Sequence, residues 1–504
     1  MWGANACVWS LFPLFTPHDT ITEQDTEAGL RAVIQDGLCS QTMGTLTSGV
    51  FLVGFALALG ASNTTIGLLA GLPFLVNLVQ LPTVYLVERV GIRKAVVVIS
   101  NIIGRTALLA IALVPFLPTP AAALGGLIVC FFIHVVCNGI AGSAWNSWMR
   151  DLVPEERLGT FFGGRLFYMT ALSAVLGLGG GLAIDGWQIW ESAHPVGIYS
   201  IFFGVGAVAG LIGLHYLSIT PEPRMEAAQS RVHIAELLSR PFKDHNFRRL
   251  VIFLGSWNFA INLAAPFFTV YMLTRLDLGM SFVVIMTVLT QGANLVVVRM
   301  FGRLADRFSN KSILAVCGPI FILGIFAWTF TTLPEKYAGT IPLLIAIHLL
   351  LGFSTAGVTL ASSNITLKLA PRGNATSYMA AISLVTSLAA GIAPIIGGHF
   401  ADFFLARELT VNVQWTSPVT KLSFTTLSLR HWDFFFILAT VLGLYSLHRL
   451  TLIEEVGAVS ERVVLNEMKL EANRIVRNLS PVAGLRSLAA FPIALLRRPR
   501  ARSP

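Results

Sequence analysis

Long apolar stretches separated by short polar joints recur along most of the chain. Twelve of them are long enough to cross a bilayer, which takes about 20 predominantly apolar residues. We expect one membrane-spanning helix over each of the following stretches: 34–60, 64–87, 94–117, 121–147, 165–185, 196–218, 249–273, 279–301, 312–333, 339–366, 374–400 and 432–453. The pattern therefore predicts an all-α membrane protein with twelve transmembrane helices.

Two longer polar segments interrupt this series. Residues 219–248 separate the sixth and seventh spans, and residues 401–431 form a long loop before the twelfth. The chain therefore divides into an N-terminal tail, a six-helix bundle, a linker, a second six-helix bundle and a basic tail, with these bounds: 1–33, 34–218, 219–248, 249–453 and 454–504. An even number of spans places both termini on one side of the membrane.

The charged residues of the joints indicate which side that is. With a cytoplasmic N-terminus, 29 of the 35 Lys and Arg residues lie on the cytoplasmic side and five on the other, while Arg105 lies within a span. Short cytoplasmic loops of membrane proteins are enriched in Lys and Arg. We therefore expect an integral protein of the cell (inner) membrane with both termini in the cytoplasm.

Composition supports this class and excludes others. Charged residues make up 12% of the chain, about half the share typical of soluble proteins, so a soluble enzyme is excluded. The net charge of +9 follows from the loop orientation, and we expect no nucleic-acid partner. The Cys and His spacings match no metal or disulfide framework, and the spans contain no catalytic set. We expect no metal, no cofactor and no enzymatic activity, and a monomer in the bilayer.

The chain also repeats itself. An acid followed by Arg occurs after the second span, at Glu88, and after the eighth, at Asp306, which lies 218 positions later. The loops after the fourth and tenth spans contain Pro154 and Pro371, which are 217 apart. Two unrelated pairs with nearly one offset indicate duplicated six-helix halves. Such internal repeats are typical of transporters that expose one site to either side by rocking the halves.

The two acid–Arg loops resemble the signature loop of the major facilitator superfamily, Gly-x-x-x-Asp-Arg-x-Gly-Arg-Lys. The residues that carry the resemblance are Glu88 (in place of Asp), Arg89, Gly91, Arg93 and Lys94 in the first loop, and Gly302, Asp306, Arg307 and Lys311 in the second. The resemblance covers about 34–453. It implies two pseudo-symmetric six-helix bundles around a central cavity, whereas the motifs of the drug–proton antiporters of this superfamily are missing.

The signature loops suit a gating latch. A carboxylate near a helix end can pair with Arg and with helix-terminal amides, and so hold two helices together in one conformational state. The alternative is that these charges only set the topology. The duplication of the acid–Arg pair favours the latch.

The resemblance implies that spans one, four, seven and ten line the cavity. Polar and aromatic residues at helical spacing in three of these spans are candidate substrate contacts: His134, Asn138, Trp257, Asn258, Asn262, His348 and Thr355. Trp145 could stack on an organic substrate. The same residues have ordinary structural interpretations, since Asn often joins helices and a His is often satisfied inside a protein. Few charges occur in the predicted cavity, which suggests a neutral or amphipathic substrate.

Three titratable residues are candidates for proton coupling. His134 and His348 lie within spans and could titrate near neutral pH, and Asp36 begins the first span. Asp36 could instead cap that span at the level of the lipid headgroups.

Arg105 is the charge that lies deepest in a predicted span. A permanent charge at that depth must meet a carboxylate, backbone carbonyls or water. No acid is predicted near it, so Arg105 either bonds backbone or amide groups such as Gln80, or faces an anionic substrate. We favour structural hydrogen bonding.

These observations predict a secondary transporter that moves a small organic solute by alternating access, with a proton or another ion as a possible coupling partner. Two alternatives stay open on the sequence alone. The first is a flippase or exporter of lipids or hydrophobic compounds on the same fold, and the second is a non-transporting membrane sensor.

Overall fold

The computed structural model describes most of the chain. The described residues are 15–19, 21–191, 194–225, 240–332, 335–371, 375–417, 421–455, 462–464, 466–468 and 470. Within these ranges, the side chains of several residues, including Asp306, are not described. Most of the expected basic tail, and the middle of the expected linker, lie outside the described residues.

Fourteen α-helices and one β-hairpin make up the described chain. The helices of the first half are α1 (Glu23–Thr47), α2 (Gly49–Ala58), α3 (Asn63–Val76), α4 (Gln80–Val90), α5 (Arg93–Leu113), α6 (Pro120–Leu152), α7 (Leu158–Trp190) and α8 (Gly197–Ile219). Those of the second half are α9 (His245–Thr274), α10 (Met280–Arg307), α11 (Asn310–Ala327), α12 (Thr340–Leu369), α13 (Ala375–Phe404) and α14 (Trp432–Thr451). Within the described residues, eleven helices are long and apolar enough to cross a membrane.

The expected second span, 64–87, is divided into two helices. The 14-residue α3 is joined to α4 by a 3-10 turn over Asn77–Val79. Pro82, in the first turn of α4, has no N–H to donate to the carbonyl four residues earlier, a position that suits the start of a helix better than its interior. The part of the expected span that is apolar and continuous is therefore shorter than the other eleven.

The first span begins earlier than its apolar pattern suggests. The helix α1 starts at Glu23, inside the segment expected to be a tail, because Thr22 and Asp25 form a reciprocal capping box. It ends at Thr47, and Gly49 adopts a left-handed backbone with φ of 57° before α2 continues. Asp36 consequently lies well inside the helix and is buried, and not at a helix start as expected.

The fourth and fifth spans are also longer than expected. The helix α6 runs to Leu152, and α7 begins at Leu158, seven residues before the predicted start at Arg165. Hydropathy alone ends a span where charge appears. A helix that contacts its neighbours continues past that point, so Arg165 lies two turns inside α7 and not at its start.

The helices form two bundles with corresponding contacts. In the first, α1 packs on α8, and α5 packs on α6 and α8. In the second, α9 packs on α14, and α11 packs on α12 and α14. The bundles meet where α3 contacts α13 and where α7 contacts α10. Each contact joins a helix of one half to a helix of the other, as the sequence repeat predicts.

The expected loop over 401–431 contains the β-hairpin. Strands β1 (Glu408–Thr416) and β2 (Lys421–Arg430) pair antiparallel with Glu408 opposite Arg430 and a bulge between Val411 and Asn412. Apolar and polar residues alternate along β1, which is the pattern of a strand. A hairpin outside the expected spans is the one departure from the all-α prediction within the described residues.

Candidate functional site

The interface between the bundles is closed at one end by a carboxylate. We call the side where α1 begins and α14 ends the terminal side, and the other side the distal side. At the distal end of α13, the Asp402 carboxylate accepts hydrogen bonds from the backbone N–H groups of Asn63 (3.0 Å) and Thr64 (2.9 Å). The Asn63 amide and the Thr64 hydroxyl donate to the same carboxylate, at 2.9 and 2.7 Å. Asp402 of one bundle therefore caps α3 of the other.

A second carboxylate makes the reciprocal contact. At the distal end of α7, Asp185 accepts from the backbone N–H groups of Met280 (2.7 Å) and Ser281 (3.0 Å), which begin α10. Asp185 and Asp402 are 217 positions apart, as are Asn63 and Met280. An anion at a helix N-terminus meets unpaired N–H groups and the positive end of the helix dipole. We call these two contacts the distal caps.

Glycines allow the backbones to meet beneath the distal caps. A Cβ on Gly67 would overlap the Pro394 carbonyl oxygen, and a Cβ on Gly181 would lie 2.8 Å from the Ser281 Cα. Both glycines face the opposite bundle. Further toward the middle of the interface, the Asn77 amide donates to the Ser387 hydroxyl at 3.3 Å. The bundles are therefore in close contact from the distal side to the level of the 3-10 turn in the second span.

On the terminal side, the signature loop braces its own bundle. Arg93 is buried, pairs with Asp151 and Glu222, and donates to the Pro223 carbonyl at 2.8 Å. Glu222 also accepts from the Arg93 N–H at 2.6 Å and from the Lys94 N–H at 3.2 Å. Burial raises the pKa of the Glu222 carboxyl, and the hydrogen bonds from Arg93 and Lys94 oppose that rise.

The second bundle has a matching brace. Glu455 accepts from the backbone N–H groups of Asn310 (3.2 Å) and Lys311 (2.7 Å) at the start of α11, and pairs with Lys368 at 3.0 Å. The Lys311 ammonium donates to the Thr451 carbonyl at 3.0 Å. Asn310 lies 217 positions after Arg93, and Lys311 lies 217 positions after Lys94. Both braces act within a bundle and not between bundles.

The residues of the expected acid–Arg latch lie at the terminal ends of α4 and α10. Glu88 and Arg89 are exposed, and neither makes an ion pair among the described residues. Gly91 ends α4 in a left-handed conformation, with φ of 71°. The side chain of Asp306 is not described, whereas Arg307 pairs with Glu467 at 3.0 Å. Gly302 has no neighbour within reach of a Cβ. Among the described residues, four carboxylates outside the signature motif accept from the first N–H groups of a helix that lies elsewhere in the chain: Asp185, Glu222, Asp402 and Glu455.

Arg105 has a carboxylate partner that the sequence did not suggest. It is buried, its Nη2 lies 3.6 Å from the Asp36 carboxylate, and the same nitrogen donates to the Ser40 hydroxyl at 3.0 Å. Its Nη1 donates to the Gly210 carbonyl. Asp36, expected near the membrane surface, and Arg105, expected to lack an acid, thus form one buried pair among α1, α5 and α8.

A second Arg lies beside this pair. The Arg165 guanidinium stands 4.9 Å from the centre of the Trp145 ring, and a Cβ on Gly37 would lie 2.9 Å from its Nε. Arg165 lies close enough to Asp36 to stabilise its charge. It makes no hydrogen bond or ion pair with any residue that the structure describes. We call Asp36, Arg105, Arg165 and Trp145 the Arg165 cluster.

Three of the predicted cavity residues are packed within a bundle. His134 lies 3.0 Å from the Gly104 carbonyl of α5, and His348 lies 2.8 Å from the Leu344 carbonyl of its own helix. The His348 ring also packs edge-on against Trp328, at 5.5 Å. Trp257 is buried against Phe321 of α11. These positions match the structural interpretation of each residue, because the side chains point at neighbouring helices of the same bundle.

The remaining candidates are more accessible. Asn138 is exposed, and Asn258, Asn262 and Thr355 are half-buried. The two Asn amides of α9 donate to carbonyls of their own helix, at 2.8 and 2.9 Å, and the Thr355 hydroxyl does the same at 2.6 Å. Each keeps an oxygen lone pair free for a further hydrogen bond, so these four residues stay candidates for substrate contact.

A cavity of about 840 Å³ opens elsewhere, on the terminal surface of the second bundle. Its lining includes Arg249, Lys311, Lys368 and Glu455. All of these belong to one bundle, so the cavity is not the passage between bundles. Within the described residues, no group of three or more His, Cys, Asp or Glu side chains could hold a metal ion.

The sequence matches the profile of the Major Facilitator Superfamily over residues 37–394. Among curated proteins none matches the chain. Similar solved structures include a mutant of the nucleoside transporter NupG, with 12% identity over 85% of this chain and 100% of the other and a TM-score of 0.63. The D-xylose–proton symporter shows 13% identity over 86% and 96% of the two chains, with a TM-score of 0.55. A bacterial homologue of the human lysosomal transporter Spinster, inward-facing and unoccupied, shows 17% identity over 76% and 84%, with a TM-score of 0.56. At these identities the likeness concerns the fold alone.

Proposed function

The chain belongs to the major facilitator superfamily, and from that premise we propose that it moves a small organic solute across the membrane by alternating access. The observation that carries the proposal is the pair of distal caps. Both caps join the two bundles at the distal end of the interface. The residues of one cap lie 217 positions from the corresponding residues of the other, the offset that also relates the two halves of the chain. Two bundles that pack closely from the distal side to the middle of their interface, with exchangeable contacts at the distal end, are suited to rocking.

The distal caps are suited to be broken and remade. Each consists of one carboxylate and the first N–H groups of a helix, and neither contact is fully buried. A hydrogen bond to a charged group contributes about 1.5–3 kcal/mol. The free energy that two such caps contribute to distal closure is small enough for the binding free energy of a substrate to offset it. We therefore assign this structure to a state closed at the distal side.

Substitution of the caps tests the proposal. We expect Asp185→Asn and Asp402→Asn to populate a distal-open state, and the double variant to do so further, because the amide carries no charge for the helix dipole. The reporter is Val284→Cys, a buried position on α10 facing Gly177 of α7, in a background without native Cys. Its labelling by an impermeant maleimide from the distal side should rise about tenfold in the double variant.

Two controls accompany this measurement. Asp19→Asn removes a carboxylate from the exposed pair with Arg224 and should leave the labelling unchanged. Ala338→Cys, on an exposed distal loop, reports full reactivity in every background. If the double variant labels at Val284→Cys no faster than the parent, and its solute counterflow in vesicles is also unchanged, alternating access through these caps is refuted.

For coupling, we propose Asp36 as the proton-carrying residue. The charged and titratable groups that face it are Arg105 on α5, Arg165 on α7 and Cys39 on its own helix. Protonation of Asp36 would release Arg105 and thus link proton binding to helix packing. The packed positions of His134 and His348 against backbone carbonyls give these residues less freedom to exchange protons.

Uptake driven by a proton gradient and counterflow of substrate can be measured separately. We expect Asp36→Asn to abolish accumulation driven by a proton gradient while counterflow of a substrate found by thermal-shift screening continues, because exchange needs no net proton movement. Since this substitution also removes the anion of the buried Asp36–Arg105 pair, counterflow is scaled to the amount of folded protein, measured from the unfolding midpoint of the same preparation. The double variant His134→Gln/His348→Gln is the control and should keep gradient-driven uptake. Gradient-driven uptake by Asp36→Asn would exclude this residue, and its loss in the double His variant would return the histidines to the mechanism.

A further inference from the structure

We propose that the Arg165 cluster binds the oxyanion group of the substrate, so that the transported solute is an organic anion with a carboxylate or phosphate. This inference deepens the proposed function and rests on it. It also replaces the neutral or amphipathic substrate that the scarcity of charges in the predicted spans suggests.

The cluster has an excess of positive charge. Arg105 faces the Asp36 carboxylate at 3.6 Å, so one cation and one anion offset each other. Arg165 is the second cation, and within the described chain no further carboxylate pairs with it. Its Nε is buried and has no hydrogen-bond partner. The cluster therefore has a net charge of one positive unit, because its carboxylate, Asp36, is already paired with Arg105.

This charge lies inside the membrane-spanning part of α7. The exposed pair between Arg157 and Glu27 lies at the terminal end of the first bundle. Arg165 follows Arg157 by eight residues, a distance of about 12 Å along a helix. A cation at such a depth costs several kcal/mol unless water or an anion reaches it. Because Arg165 is half-buried, a solute that enters from the terminal side can provide that anion.

The guanidinium is held in place before any ligand arrives. On one side it lies against the α1 backbone, where a Cβ on Gly37 would stand 2.9 Å from Nε and 3.0 Å from Nη2. On another side it lies 4.9 Å from the Trp145 ring centre, in cation–π contact. An Arg fixed in this way presents its planar donors to an oxyanion with little further loss of freedom.

The surroundings favour an organic anion over an inorganic one. The Trp145 ring packs against Phe162 at 6.2 Å, so an aromatic surface adjoins the guanidinium. Gln41 lies one helical turn after Gly37 on the same face of α1 and is half-buried. A cation beside an aromatic surface and an amide suits a solute with one anionic end and an apolar or hydrogen-bonding body.

Matched acid and amide probes test the proposal. We would measure binding to the purified full-length protein in phosphatidylcholine nanodiscs at low salt, by thermal unfolding and by titration with benzoate, succinate and phenyl phosphate. Benzamide, succinamide and phenol are the uncharged partners. We expect anions, and not their neutral counterparts, to raise the unfolding midpoint. In Arg165→Gln the apparent affinity should fall about tenfold or more, as for loss of a charged hydrogen bond.

Arg150→Gln is the matched control, because Arg150 is an exposed Arg near the end of α6, and it should bind the anions as the parent does. A further arm uses nanodiscs that contain phosphatidylglycerol. If this lipid stabilises the parent through Arg165 and suppresses the effect of soluble anions, the oxyanion comes from a lipid headgroup. If soluble anions still act, it comes from a solute.

Three results would overturn the proposal: no anion stabilises the parent in either nanodisc, the neutral partners stabilise it equally, or Arg165→Gln responds as the parent does. A failure of the anion-site proposal can be distinguished from a failure of the alternating-access proposal. If counterflow of a neutral solute responds to the distal-cap variants while anions neither bind nor compete, alternating access stands and the anion site falls.

Discussion

Single residues decide how charge is carried inside the first bundle. Arg105 and Asp36 are both buried, and the surrounding partners, Ser40 and the Gly210 carbonyl, take up further donors of the guanidinium. Burying a charge is costly unless it is paired and hydrogen-bonded. Each charge therefore offsets the free-energy cost of burying the other, and the pair fixes the packing of α1 against α5 and α8.

We expect Arg105→Gln to destabilise the protein strongly, because it leaves the Asp36 carboxylate buried without its cation. Breaking a buried pair from one side costs about 3–5 kcal/mol. The double variant Asp36→Asn/Arg105→Gln should recover part of the loss, since no uncompensated charge remains. Thermal unfolding in detergent measures both, with Arg150→Gln as an exposed control. Equal unfolding midpoints for the Arg105→Gln variant and the parent would show that the pair does not bear on stability.

At the scale of elements, the interface depends on helices that approach without side chains between them. The α3–α13 and α7–α10 contacts each combine a carboxylate at a helix end with glycines below it. Small residues allow helix backbones to approach closely in membranes. The caps fix which helix ends meet, and the glycines allow the two helix backbones to lie close together.

A side chain at Gly67 should therefore prevent distal closure. A Cβ there would overlap the Pro394 carbonyl oxygen, which is backbone and cannot swing aside. We expect Gly67→Val to shift the protein toward the distal-open state, seen as faster labelling of Val284→Cys from the distal side. Gly125→Val, on α6 with open space around it, is the control. Labelling of the Gly67→Val protein at the parent rate would contradict the close packing of α3 on α13.

On the scale of the whole molecule, two bundles related by one offset form a scaffold whose two ends are built differently. The terminal braces at Glu222 and Glu455 act within a bundle, whereas the distal caps act between bundles. Each bundle can thus move as a unit while the contact between bundles is exchanged. This arrangement is what a rocking mechanism requires.

The whole-chain topology gives a separate prediction. We expect alkaline phosphatase fused within the distal joints, for example after Ala338 or within 117–119, to be active outside the cell. Fusions within 219–248 or at the C-terminus should be inactive, because 29 of 35 Lys and Arg residues lie on that side of the predicted topology and short cytoplasmic loops are enriched in these residues. A fusion series through every joint also counts the spans. Activity at the linker, or inactivity at the distal joints, would reverse the orientation or change the number.

Much of this architecture follows from patterns that a chain carries locally. Apolar length predicts twelve spans, of which eleven are long apolar helices within the described residues, and the spacing of Glu88 and Asp306 indicates the duplication. Within the expected second span, Pro82 lies in the first turn of α4, where proline is tolerated. The role of the signature loops as a latch stays a prediction. Carboxylates outside the motif, such as Asp185 and Asp402, accept from helix N–H groups, and no sequence motif marks them because the helices that they cap lie far away in the chain.

Side-chain partners depend on where each helix begins and how it is rotated. A charge ends an apolar pattern, so hydropathy places both Asp36 and Arg165 at the start of a predicted span. Capping at Thr22 and packing of α7 extend these helices and carry both residues into the bundle. The sequence by itself determined the spans, the repeat and the charge asymmetry, because each is a sum over local residue preferences. Only the tertiary structure decided that Asp36 meets Arg105, that Arg165 keeps donors free, and that Asp185 and Asp402 close one side, because these contacts join positions far apart in the chain.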